Sequence, residues 1–92
     1  TLDANDFKFL LPNGFVTASD FAEYLIDSLD QLRGEGGRML SVGLHCRIVG
    51  RPGRAPGLAR FLEHVRTCDD VWVATRAEIA RHWRSTHPPP LR

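Results

Sequence analysis

The side chains best suited to bond-making chemistry gather around one stretch, Met39 to Arg54, which reads MLSVGLHCRIVGRPGR. His45 is the candidate catalytic residue. Its imidazole titrates near neutral pH and can give or take a proton under ordinary conditions. Arg47, Arg51 and Arg54 follow within nine residues, alternating with glycine and proline. Guanidinium groups present forked donors that match a carboxylate or another anion. Arg47 and Arg51 are therefore candidate substrate-binding residues, and so are Asn5 and Asp6, which crowd a short polar loop with Asp3. Each assignment has a plainer counterpart. A lone histidine at a strand end can be structural, and arginines can pair with acidic neighbours or lie in solvent. Asn and Asp commonly serve as turn and capping residues.

These residues need a scaffold. Met39 to His45 is short, apolar and followed by glycine and proline, the pattern of a buried strand. Side chains alternate across a strand, so Leu40, Val42 and Leu44 share one face and Met39, Ser41, Gly43 and His45 the other. His45 then closes a row of mostly small residues at the carboxyl end of the strand. In α/β barrels and open α/β sheets that end carries the active site. The segment Arg47–Arg54 is expected as a loop, with Pro52 in the first turn of the next helix.

Composition bounds the partners. A chain of 92 residues with net charge +1 argues for neither a nucleic-acid nor a membrane partner. Cys46 and Cys68 show no metal or redox spacing, and His82 with His87 lacks a third ligand at recognisable spacing, so no metal site is expected. No disulfide framework, leader pattern or apolar spanning run is visible, and a cytoplasmic location is the expectation.

Read in order, the chain opens on a polar loop ending in Pro12-Asn13-Gly14. A helix capped by Thr17 or Ser19 carries Phe21, Leu25, Ser28, Leu29 and Leu32 on one stripe, widened by Tyr24 and Ile26, with Asp27 and Asp30 on a solvated face. Gly34 to Gly37 stops it. A second amphipathic helix shows Leu58, Phe61, Leu62 and Val65, with His64 at the surface. Val71–Ala74 is expected as a second strand. Thr75 and Glu78 form a capping box for a last helix that turns Ile79, Ala80 and Trp83 inward, before a frayed tail with Pro88-Pro89-Pro90. A strand–helix–strand unit in one sheet is usually parallel and right-handed. Parallel strands want both faces covered, which two strands and three helices can hardly provide. Residues 1–92 are thus expected to form a single incomplete α/β domain.

The segments TLDANDFKF (Thr1–Phe9), NGF (Asn13–Phe15), LSVGLHCRIVGRPGR (Leu40–Arg54), LARFLEHV (Leu58–Val65) and VWVATRAEIARHW (Val71–Trp83) resemble the C-terminal third of the polysaccharide-deacetylase-like hydrolases. The resemblance leans to the allantoinase branch that lacks the usual metal site. It implies a partial (β/α) barrel segment, the C-terminal part of a distorted seven-stranded barrel, and hydrolysis of allantoin to allantoate without a cofactor. A metal-dependent N-acetyl sugar deacetylase is the alternative, and a non-catalytic anion-binding or assembly piece is a third reading. His45 matches the family's general acid, while Asn5 and Asp6 match a polar loop at the pocket mouth. The metal ligands and base of metal-dependent members lie upstream of the matched region. Expected partners are a small-molecule substrate and the remainder of the barrel or another subunit, with homo-oligomer formation.

Overall fold

The computed structural model describes residues 4–90. It is a mixed α/β arrangement, mostly helical, with one pair of parallel strands among the described residues. Strand β1 (Ala4–Asn5) pairs with β2 (Val42–Gly43), with Ala4 opposite Val42 and Asn5 opposite Gly43. A 3₁₀ turn (Asp6–Leu10) follows β1. The helices are α1 (Ala18–Glu35), α2 (Cys46–Val49), α3 (Ala55–Arg66) and α4 (Arg76–Thr86). None is long and apolar enough to cross a membrane.

The helix boundaries follow from local chemistry. Thr17 caps α1: its hydroxyl accepts from the Asp20 N–H at 3.1 Å, and the Asp20 carboxylate accepts from the Thr17 N–H at 2.9 Å. Gly36, at φ 74°, ends it. Thr75 and Glu78 build the same reciprocal box on α4. The apolar stripe of α1 buries Phe21, Leu25 and Leu29 against Phe61 of α3, with Val49 and Ala4 completing the cluster. The two helices come close because Gly57 sits against the Ala18 carbonyl; a Cβ there would overlap it.

Several expectations are corrected. Among the described residues, the strand expected over Met39–His45 makes ladder pairs at Val42 and Gly43. Val71–Ala74 forms no strand and joins no sheet among the described residues. The expected loop contains α2, whose Ile48 and Val49 are buried at 7% exposure and tie it to the core. Pro52 lies in a turn before α3, and Pro56 takes the first-turn position instead. Trp83 is 61% exposed rather than inward, since α4 buries no residue at all. Leu44 and Leu62 are likewise exposed. The Cα radius of gyration is 15.4 Å, with extents of 52 × 26 × 20 Å. A compact chain of this length would have a radius near ~12 Å, so the described arrangement is elongated.

Candidate active site

β1 and β2 lie side by side in parallel, so their carboxyl ends open at the same edge. Asp6 follows β1 and His45 stands two residues beyond β2. The Asp6 carboxylate is 0% exposed. One oxygen accepts from the His45 backbone N–H at 2.6 Å, and the other faces His45 Nδ1 at 2.7 Å. A carboxylate only accepts, so Nδ1 carries the hydrogen. That fixes the tautomer of the neutral ring and leaves the Nε2 lone pair unused by Asp6. Nε2 has no hydrogen-bond partner among the described residues, and the His45 side chain is 53% exposed. The Phe7 ring lies 6.4 Å from the imidazole, centre to centre.

The other expected site residues fare differently. Asp6 was expected to touch substrate; it is fully buried behind His45, with both oxygens engaged there. Asn5 is half-buried, and its Oδ1 caps the 3₁₀ turn by accepting from the Phe7 N–H at 2.8 Å. Its amide also covers Gly43, where a Cβ would stand 2.6 Å from Nδ2. The small-residue face of β2 is thus partly filled by Asn5. Arg47 and Arg51 are exposed and joined by the Arg51 Nε donating to the Arg47 carbonyl at 3.3 Å. Neither takes part in an ion pair among the described residues. Arg54 is structural: its guanidinium lies 4.9 Å from the Phe9 ring centre and donates to the Ile48 carbonyl. Asp3 lies outside the described residues. The Asp6–His45 pairing spans 39 positions, and only the parallel alignment of β1 with β2 makes it visible.

No family model matches the chain. Comparison with known proteins gives strong partial matches. The crystal structure of Puue allantoinase superposes with a TM-score of 0.91 at 48% identity, over 98% of this chain and 31% of that one. The crystal structure of a probable polysaccharide deacetylase from Pseudomonas aeruginosa PAO1 gives a TM-score of 0.91 at 46% identity, over the same shares. A Schizosaccharomyces pombe protein named "Putative polysaccharide deacetylase" is 45% identical over 96% of this chain and 29% of its own length. The chain matches about one third of a polysaccharide deacetylase or allantoinase fold. The resemblance seen in the GLHCRIVGRPGR and IARHW segments is therefore supported over nearly the whole chain, with allantoinase and deacetylase relatives at similar identity.

Proposed function

We propose that this chain supplies the proton-donating corner of an amide-hydrolysing (β/α) barrel, with His45 as general acid and Asp6 as its positioning residue. The observation that carries the reading is the buried Asp6 carboxylate against Nδ1 of a half-exposed histidine. Hydrolysis of a C–N bond proceeds through a tetrahedral oxyanion, and the leaving nitrogen must depart protonated. With Nδ1–H held by Asp6, it is the imidazolium form, carrying its second proton on Nε2, that can deliver a proton to the leaving nitrogen and end as the neutral ring. Arg47 and Arg51, free of ion pairs among the described residues, are the proposed donors to a substrate oxygen or the new carboxylate. The favoured substrate is a cyclic ureide of the allantoin kind, as the name of one similar structure states for that protein. Deacetylation of an N-acetyl sugar is the second reading, favoured by the names of the other two relatives.

The chain spans about 30% of the length of these relatives, so the proposed partner is the remaining two thirds of such a barrel. A cleft of about 720 Å³ between α1, α3 and the stretch Asp70–Trp83 is the proposed seat. Its walls include Met39, Leu62, Trp72 and Trp83, all exposed.

The test is a chimera in which this chain replaces the matching third of Puue allantoinase. Ring opening of allantoin and release of acetate from an N-acetyl sugar are both measured. A folded chimera inactive on both would overturn the reading. His45→Ala is a poor probe, because it strips the buried Asp6 of its Nδ1 donor and destabilises the fold for that reason alone. His45→Asn keeps a donor near the Nδ1 position and removes Nε2. It is expected to lose roughly 10²–10⁴ in kcat, with KM changed far less. Asp6→Asn is expected to lower kcat with a shifted pH profile, since the ring loses its fixed tautomer. Retention of more than about a tenth of kcat in His45→Asn, outside the usual range for a proton donor, would remove His45 from the mechanism.

A further inference from the structure

Asp30 of α1, His64 of α3 and Cys68 just beyond α3 converge at the far ends of the two packed helices. A carboxylate oxygen of Asp30, a ring nitrogen of His64 and Cys68 Sγ all lie within 4.8 Å of one another. Asp30 Oδ1 and His64 Nε2 are 2.8 Å apart and share a proton. Cys68 Sγ donates to the His64 carbonyl at 3.3 Å. His64 and Cys68 are four residues apart, the interval that puts two side chains on one helical face, and Asp30 reaches them from the facing helix.

We infer that Asp30, His64 and Cys68 form a three-ligand site for a zinc-class divalent cation, with a fourth position open to water. The donor set is one carboxylate oxygen, one imidazole nitrogen and one sulfur, all ligand types that zinc accepts. Mixed S, N and O donors disfavour magnesium or calcium, which want oxygen alone. Asp30 and His64 are 44% and 27% exposed at the side chain, so an ion can enter from solvent. The cation takes the place of the shared proton and of the thiol hydrogen, so binding releases protons and strengthens as pH rises. Arg33 is the group that opposes it. Its Nη1 stands 3.1 Å from the same Asp30 oxygen, while its Nε holds Asp70 at 2.8 Å. Swinging fully onto Asp70 frees the Asp30 oxygen for the ion. This site departs from the expectation of no metal, which rested on sequence spacing alone and could not see Asp30.

The test is titration of the untagged chain with Zn²⁺ and with Co²⁺, in a Cys46→Ser background that removes the other free thiol. One ion per chain and a thiolate-to-cobalt absorption band are expected. Cys68→Ser is expected to abolish the band, and His64→Gln and Asp30→Asn each to weaken binding at least ~10-fold, the scale of losing a metal-site contact. Arg33→Gln is expected to tighten binding, an outcome that a merely structural ion pair would not give. A cobalt band that survives Cys68→Ser overturns the proposal. So does affinity unchanged by Asp30→Asn and His64→Gln. Should any ligand variant fail to fold, Arg33→Gln and the pH dependence of wild-type affinity decide: no tightening, or affinity flat with pH, counts against the site.

Discussion

α1 with α3, and the stretch from Asp70 to Pro90, start from similar sequence material and reach opposite states. Both have capped helices and large apolar side chains at helical spacing. In the first, Phe21, Leu25 and Phe61 are buried to 0%, 0% and 6% exposure. In the second, Trp72, Val73 and Trp83 stay 56%, 78% and 61% exposed. The difference is not amphipathicity but the presence of a partner surface. α1 finds α3, with Gly57 allowing close approach. α4 finds Trp72 edge-on to His82, His87 stacked on Trp83 and Arg76 donating to Ser41, and buries none of its residues.

Large-to-small substitutions should separate the two regions most sharply. Phe21→Ala is expected to cost about 3–5 kcal/mol, the range for deleting a buried aromatic. Trp83→Ala in the isolated chain is expected to cost under about 1 kcal/mol, as at surface sites. In the allantoinase chimera, where the proposed barrel closes over the cleft, Trp83→Ala should move into the buried range. Chemical denaturation of both backgrounds checks this. A large cost in the isolated chain would mean that α4 is packed after all. A negligible cost in the chimera would leave the cleft without its proposed occupant.

Glycine substitutions give a smaller, signed contrast. Gly57→Ala drives a Cβ into the Ala18 backbone carbonyl and should cost about 1–3 kcal/mol, as overpacking does. Gly34, in the last turn of α1, has nothing within 4 Å of an added Cβ. Gly34→Ala should therefore stabilise, by about 0.4–1 kcal/mol, through the unfolded chain's lost freedom. Melting curves of the two variants should shift in opposite directions. A shift in the same direction would show that the α1–α3 spacing is not set at Gly57.

Sequence pattern carried the helices and stopped at the strands. The Thr17 and Thr75 caps, the α1 stripe and the Phe61 face are local features, encoded within a few residues of where they act. Strand pairing is not local. Whether Met39–His45 or Val71–Ala74 is bonded depends on neighbours that periodicity cannot supply, and an apolar run cannot announce that its partner is absent. Trp83 illustrates the cost: its helical position was legible, yet its burial depends on what lies opposite. The site shows the same division. Strand parity and resemblance single out His45, and the structure adds its pairing with Asp6. That Asp6 is buried against His45 becomes visible only with the β1–β2 register. Ile48 and Val49 were missed because glycine and proline nearby suggested a loop, while a single helical turn was enough to bury both.

The smallest contrast is in acid. Hydrogen bonds from the Thr17 and Val16 N–H groups hold Asp20 below its usual 3.8, and the Thr75 N–H holds Glu78 below its usual 4.5. A depressed carboxylate contributes stability that is present above its unfolded-state pKa and lost as pH falls through the folded one. The Thr75 box therefore begins to open below about pH 4.5 and the Thr17 box below about pH 3.8, and each is lost further down. The consequence differs because α1 retains buried Phe21, Leu25 and Leu29 after its box opens, whereas α4 has no buried residue to retain. Acidification from about pH 6 to about pH 3 should thus fray α4 while α1 persists, since short unpacked helices are marginal in water. Residue-resolved amide exchange or NMR shifts across that range would show it. Thr75→Ala at neutral pH should reproduce the fraying, while Thr17→Ala should weaken α1 by about 1 kcal/mol without melting it. Loss of α1 before α4 would mean that the cap, and not the α3 contact, holds α1 in place.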